Sequence, residues 1–184
     1  MIPSPTRSER PAADGEDERR PTALLLIYTW DILLAIGALI EGVFAPFGGA
    51  VQVGDRTLPT PVAVQILEAI SSAALGGALI LIGTLLTRHD AWVRRAQVVV
   101  LSMAAGIGAA SYAVVAAVAR TIDVAGMLGT ALLVLVDLVA LYALTAHKVV
   151  AWYRDPGPVP MYMGALITFW AATSVAFVTL RALS

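Results

Sequence analysis

The sequence contains no cysteine, one lysine and two histidines among its 184 residues. The absence of cysteine excludes disulfides, thiolate metal ligands, a cysteine nucleophile and a lipid-modified cysteine. Two histidines are too few for a histidine-rich metal site, and we expect no metal and no other cofactor. The net charge of −1 provides no excess of basic residues, so nucleic acid is not an expected partner.

Charged residues make up only 14% of the chain, against roughly a quarter in a water-soluble domain. Hydrophobic residues make up 59%, and the mean hydropathy is +0.82. They form five apolar segments, each reaching the roughly 20 residues needed to cross about 30 Å of hydrocarbon. The segments lie at about 23–45, 63–86, 96–118, 124–146 and 161–180.

These segments lack the alternating pattern of barrel strands, and a backbone in lipid must satisfy its own hydrogen bonds. The sequence therefore predicts an all-α integral membrane protein, a five-helix transmembrane bundle in contact with the lipid bilayer. The fifth segment, 161–180, is diluted by threonine, serine, glycine and aromatic residues. Four spans plus an interfacial C-terminal helix are therefore the alternative.

Residues 1–22 hold nine of the 25 charged residues and four of the ten prolines. A segment of this composition buries too little apolar surface to offset the entropy of ordering, so we predict a disordered cytoplasmic tail. Residues 23–184 are predicted to form the transmembrane helical domain.

The distribution of lysine and arginine predicts the orientation. Nine of them lie in the tail and in the loops on the same side, and three lie in the other loops or after the fifth segment. This bias predicts a cytoplasmic N-terminus and, with five spans, an outside C-terminus. Eleven arginines against one lysine, with abundant alanine, glycine and proline, indicate a GC-rich bacterial gene and hence a cell inner membrane.

Two connecting segments have recognisable turn signals. In the first outside loop, VQVGDRTL predicts a tight hairpin centred on Gly54 and Asp55. After span four, HKVVAWYRD is predicted to extend the helix into the headgroup region, where the sequence Asp155-Pro156-Gly157-Pro158 ends it.

Ionisable residues within the spans are the most informative feature for function. They are Asp31 and Glu41 in span one, Glu68 in span two and Asp137 in span four, with no lysine, arginine or histidine inside any predicted span. An aspartate near a helix centre costs roughly 2.5–3.5 kcal/mol on insertion. Counted from the predicted span ends, the aspartates form a deep layer about 12–14 Å from the cytoplasmic side, and the glutamates a layer about 6–8 Å from the outside.

Three interpretations of these acids are open. Each acid can be protonated and donate a hydrogen bond within the bundle, with Ser71, Ser72 and Thr130 as candidate neighbours. The acids can line a path for protons or a cationic substrate, because facing carboxylates disfavour double ionisation. Finally, Asp31 or Asp137 can pair with an arginine or lysine supplied by a partner subunit.

Small residues at four-residue spacing mark candidate helix-packing faces, since helices in lipid associate through close packing. Span three carries Ala105, Ala109 and Ala113 in one row, and span five carries Gly164 and Ala172. These rows are expected to pack the bundle itself. The alternative is that one of them, most plausibly on span five, docks a partner membrane protein or a second copy of the chain.

The sequence does not predict an enzyme. It contains no GxSxG or HExxH motif and no glycine-rich phosphate loop after a strand, and no catalytic residue is assigned. The leading hypothesis is an accessory or scaffold subunit of a bacterial envelope assembly. The alternative is a small proton-coupled transporter of a cationic amphiphilic compound that uses the membrane carboxylates.

Overall fold

A computed structural model describes residues 21–184 of the chain. Five of its helices are long and apolar enough to cross a membrane. They are α1 (Thr22–Phe44), α2 (Val62–Leu85), α3 (Ala91–Ala119), α4 (Val124–Ala143) and α6 (Met161–Leu183). A 3₁₀ turn (Ala45–Phe47), strands β1 (Ala50–Val53) and β2 (Arg56–Pro59) and a short helix α5 (His147–Trp152) complete the described elements.

The prediction of a mainly helical protein with five membrane-length segments is therefore confirmed. The fifth segment forms a 23-residue helix that packs against α2 and α3 as part of the bundle. The tail predicted for residues 1–22 lies outside the described residues, apart from Pro21 and Thr22, and Thr22 already begins α1.

Three helix ends differ from the predicted ones by more than two residues, and one of them is the end of α6 at Leu183, three residues later than predicted. Helix α3 begins at Ala91, five residues earlier than predicted, because Trp92 and Val93 are buried in the core and extend its packed face. Helix α4 ends at Ala143, three residues earlier than predicted.

The predicted continuation of span four through HKVVAWYRD is wrong. The Thr145 hydroxyl donates to the Tyr142 carbonyl at 2.7 Å, and Arg94 Nη1 donates to the Leu144 carbonyl at 3.2 Å. The backbone N–H groups of Thr145 and Ala146 bond to carbonyls three residues back instead of four, so the α-helical pattern ends here, and Arg94 takes a carbonyl that a further helical turn would use. The chain breaks at 144–146 and resumes as the separate helix α5.

The predicted hairpin is confirmed. Strands β1 and β2 pair antiparallel with Val53 opposite Arg56, and Gly54 in the turn has a φ of 60°, which favours glycine. Arg56 Nη1 donates to the Ala119 carbonyl at 2.9 Å, so the hairpin is held over the end of α3.

The long helices form a ring of neighbours in the order α1, α2, α6, α3 and α4, with α4 returning to α1. Their inward faces meet in one apolar core that contains Leu24, Ile82, Leu101 and Trp170. Many large apolar side chains point outward, as expected for surfaces that face lipid rather than water. We call the two ends of the bundle the hairpin end and the α5 end.

The packing of α1 on α2 depends on a close approach at Gly76. A Cβ atom at this position would lie 2.7 Å from Leu39 Cγ and 3.1 Å from the Ala35 carbonyl oxygen. At the neighbouring Gly77, by contrast, a Cβ would meet no atom within 4 Å. Gly76 thus allows backbone-to-backbone contact of the kind that small residues provide in membrane helices.

We predict that Gly76→Val lowers the free energy of unfolding by about 1–3 kcal/mol, because the added methyl groups overpack the α1–α2 contact. Gly77→Val is the matched control, with the same change in helix propensity and no clash. Thermal unfolding of both variants in one detergent, followed by circular dichroism, measures the difference. Equal melting temperatures for the two variants would contradict the close approach.

Candidate functional site

The two deep aspartates come together inside the bundle. Asp31 on α1 is fully buried, and Asp137 on α4 retains 3% of its surface. Asp137 accepts a hydrogen bond from Trp30, the residue next to Asp31, so the two carboxyl groups lie in one region of the core. The aspartates expected at one depth are therefore neighbours, and both lie near the α5 end.

Asp31 is held by a residue that sequence reasoning missed, Gln97 on α3. Gln97 Nε2 donates to Asp31 Oδ2 at 2.6 Å, and both side chains have no exposed surface. The early start of α3 at Ala91 brings Gln97 nearly two turns into the helix, level with the aspartates. The sequence does contain a signal for this role, because Gln97 is a lone glutamine in an apolar segment.

Asp137 is held by Trp30, the residue that precedes Asp31. Trp30 Nε1 donates to Asp137 Oδ1 at 2.8 Å and links α1 to α4. Consecutive residues of α1 thus engage two different helices, since Asp31 contacts α3 and Trp30 contacts α4. Buried tryptophan commonly pairs its indole N–H in this way.

Two buried oxygens of this cluster have no hydrogen-bond partner among the described residues. They are Asp31 Oδ1 and Gln97 Oε1. Both are acceptors, and the Gln97 amide nitrogen already donates to the other Asp31 oxygen. We call Asp31, Gln97, Asp137 and Trp30 the inner polar cluster.

The two glutamates form a second group near the hairpin end. Glu68 is half-buried and lies 3.9 Å from Arg181, whose guanidinium also covers the Phe177 ring. Glu41 is exposed and lies near Ser72, Glu68 and Arg181. The prediction that no basic residue lies within a span is wrong here, because α6 continues to Leu183 and includes Arg181.

The hydroxyl groups proposed as neighbours of the acids divide between two roles. Ser72 does approach Glu41. Ser71 instead bonds Ser174 of α6 at 2.6 Å between the two Oγ atoms, and the Ser174 hydroxyl lies 2.8 Å from the Trp170 carbonyl. This buried pair links α2 to α6 and does not reach the inner polar cluster.

The predicted small-residue faces lie largely on the outside of the bundle. Ala105 is half-buried, whereas Ala109 and Ala113 on α3 and Gly164 and Ala172 on α6 are exposed. Their role as packing faces stays a prediction, and it would require a partner helix.

Between α3 and α6 the surface carries a groove of about 160 Å³. Its lining is made mostly of small and β-branched side chains: Gly106, Ile107, Ala110, Ser174, Val175, Val178 and Thr179. A second cavity of about 80 Å³ lies under the hairpin beside Arg181. None of the four acids lines either cavity.

Residues that could ligate a metal do not gather in the part of the chain that the structure describes, where no three histidine, cysteine, aspartate or glutamate side chains form a group. Comparison of the chain with protein-family models, curated proteins and solved structures gives no match. The inner polar cluster and the bundle surface are therefore the features that bear on function.

We predict that Trp30→Phe lowers the free energy of unfolding by about 1–3 kcal/mol, because Asp137 Oδ1 loses its buried donor. Trp152→Phe is the matched control: the Trp152 indole N–H is also buried but has no partner among residues 21–184. The control variant is expected to change stability less. Chemical denaturation of both variants in lipid nanodiscs measures the difference, and equal losses would count against the Trp30–Asp137 bond.

Proposed function

We propose that the protein is an accessory or scaffold subunit of a bacterial envelope assembly, inserted in the inner membrane through five spans. The five apolar helices support the multi-span arrangement. The small extent of structure outside them supports a non-enzymatic role: between residues 21 and 184 it consists of a two-stranded hairpin, one six-residue helix and short connections. On this proposal the protein acts through its lateral surfaces.

The proposed orientation has the N-terminus in the cytoplasm and the C-terminus outside. Among the described residues, the α5 end carries five basic residues and the hairpin end three. Those at the α5 end are Arg88, Arg94, Arg95, Lys148 and Arg154, and those at the hairpin end are Arg56, Arg120 and Arg181. The four arginines within residues 1–20 add to the first group, as the positive-inside rule expects of a cytoplasmic side.

The groove between α3 and α6 is the observation that carries the accessory-subunit proposal. It opens sideways on the bundle, and Gly106 and Ala110 on its α3 side leave space in which a side chain of another membrane helix can insert. Such an interface relies on close van der Waals packing, which small residues permit. The inner polar cluster does not offer an alternative docking point, because a partner's arginine has no surface route to the fully buried Asp31.

We predict that a photo-cross-linking amino acid at Ala110 or Val178 captures a different membrane protein in cells. Substitution at Leu138 or Val139 is the control, since these side chains are exposed on α4, away from the groove. Adducts are detected by mass shift on denaturing gels and identified by mass spectrometry.

Two outcomes would contradict the proposal. Adducts formed equally from the groove and from α4 would indicate random collision in the bilayer. An adduct with the mass of two copies of this chain would indicate a homo-oligomer and not an accessory subunit.

A second candidate function is a small proton-coupled transporter of a cationic amphiphilic compound. The adjacency of Asp31 and Asp137 favours it, because two neighbouring carboxyl groups in an apolar interior can exchange a proton for a cation. Both side chains are almost sealed from the surface, so a carrier would have to open a path to them.

We predict for this candidate that proteoliposomes accumulate a fluorescent lipophilic cation when a pH gradient is applied. Asp31→Asn and Asp137→Asn should each abolish the uptake, because the exchangeable carboxyl is lost. Asp55→Asn, in the exposed hairpin turn, is the control and should transport normally. Unchanged uptake in both membrane variants would rule the carrier out.

A further inference from the structure

If Asp31 is an ionised carboxylate, the Asp31–Gln97 pair has more buried hydrogen-bond acceptors than donors. One bond is present, from Gln97 Nε2 to Asp31 Oδ2. The second oxygen of each group is buried without a donor among residues 21–184. An ionised carboxylate accepts only, and an amide oxygen accepts only, so neither can satisfy the other.

One added proton can give both unpaired oxygens a hydrogen-bond partner. Placed on Asp31 Oδ1, it makes that oxygen a donor, and Gln97 Oε1 is the acceptor that lacks one. Carboxylic acids and amides each carry a donor and an acceptor side by side, so two parallel hydrogen bonds can join them. Asp31 is then uncharged, so its side chain, which has no exposed surface, avoids the free-energy cost of burying a charge.

The charged groups around the Asp31–Gln97 pair favour the protonated form of Asp31. From α4 the facing ionisable group is Asp137, whose negative charge opposes a second one on Asp31. From α3, Arg94 is directed to the Leu144 carbonyl. On α2 the ionisable residue is Glu68, at the hairpin end beside Arg181, and on α1 Tyr28 packs against Gly83. No cation in residues 21–184 is shown to contact Asp31.

Asp137 has the opposite surroundings. It is also buried and accepts an N–H, from Trp30, but neither of its oxygens is buried without a hydrogen-bond partner. The two neighbouring carboxyl groups therefore differ in environment: one faces an amide with a free acceptor, and the other faces an indole donor.

We propose that the Asp31–Gln97 pair is a proton-binding site, in which Asp31 holds one proton on Oδ1 and donates it to the Gln97 carbonyl oxygen while Asp137 stays ionised. Proton binding neutralises Asp31 and adds one hydrogen bond between α1 and α3. Releasing the proton leaves two buried acceptors without a donor and a negative charge on Asp31, so occupancy of the site determines whether the second hydrogen bond between α1 and α3 exists. The site exists whether the protein is an accessory subunit or a carrier, and its test does not depend on either activity.

Infrared difference spectroscopy of the protein in lipid nanodiscs tests the proposal, because a protonated carboxyl has a carbonyl stretching band that a carboxylate lacks. We expect this band at neutral pH in the unmodified chain. Asp31→Asn should remove it, whereas Asp137→Asn and the hairpin control Asp55→Asn should retain it. Absence of the band at neutral pH, or its persistence in Asp31→Asn, would overturn the proposal.

Gln97→Leu provides a second and independent measurement if Asp31→Asn cannot be purified. Loss of the amide acceptor should shift the band of the Asp31 acid to higher frequency without removing it, and an unshifted band would overturn the pairing. Replacing potassium by sodium in the buffer at constant pH should leave the band unchanged. Loss of the band in sodium alone would show that a metal cation takes the site in place of the proton, and this too would overturn the proposal.

Discussion

The arrangement of this bundle depends on one constraint: a polar side chain in an apolar interior is costly unless it forms a hydrogen bond, and here the partners lie on other helices. Trp30 and Asp31 are adjacent on α1. Trp30 bonds to Asp137 on α4, and Asp31 bonds to Gln97 on α3. Apolar contacts in lipid discriminate weakly between alternative helix rotations, because lipid tails are as apolar as leucine. The two polar contacts favour one rotation of α1 over the others.

The outer part of the bundle follows the same rule with charged and hydroxyl groups. Glu68 and Arg181 approach each other across α2 and α6 near the hairpin end, and the buried hydroxyls of Ser71 and Ser174 meet deeper between the same two helices. The ion pair is long and partly exposed, so it contributes little by itself. The serine pair is fully enclosed and fixes the register of α2 against α6 more firmly.

Much of this architecture could be predicted from the sequence, because segment length and apolarity alone identify the five long helices. The hairpin was also predictable, since Gly54-Asp55 is a local turn signal. Gln97 as a partner of Asp31 was not, because pairing across 66 residues depends on how the helices are arranged in the ring. Arg181 was placed beyond the fifth span, because its charge marked an end to the apolar segment, so its approach to Glu68 from within α6 was not predicted. The break after Ala143 depended on Arg94 reaching the Leu144 carbonyl from another helix.

The position of α6 has a consequence for the order of assembly. In the ring it stands between α2 and α3, which precede it in the chain, and it packs on both of them. During synthesis, α1 to α4 enter the membrane while the place between α2 and α3 is still unfilled. The ring is therefore completed only after α1 to α4 have left the ribosome, and until α6 follows them the side chains of α2 and α3 that later contact it remain exposed to lipid or to an insertion factor.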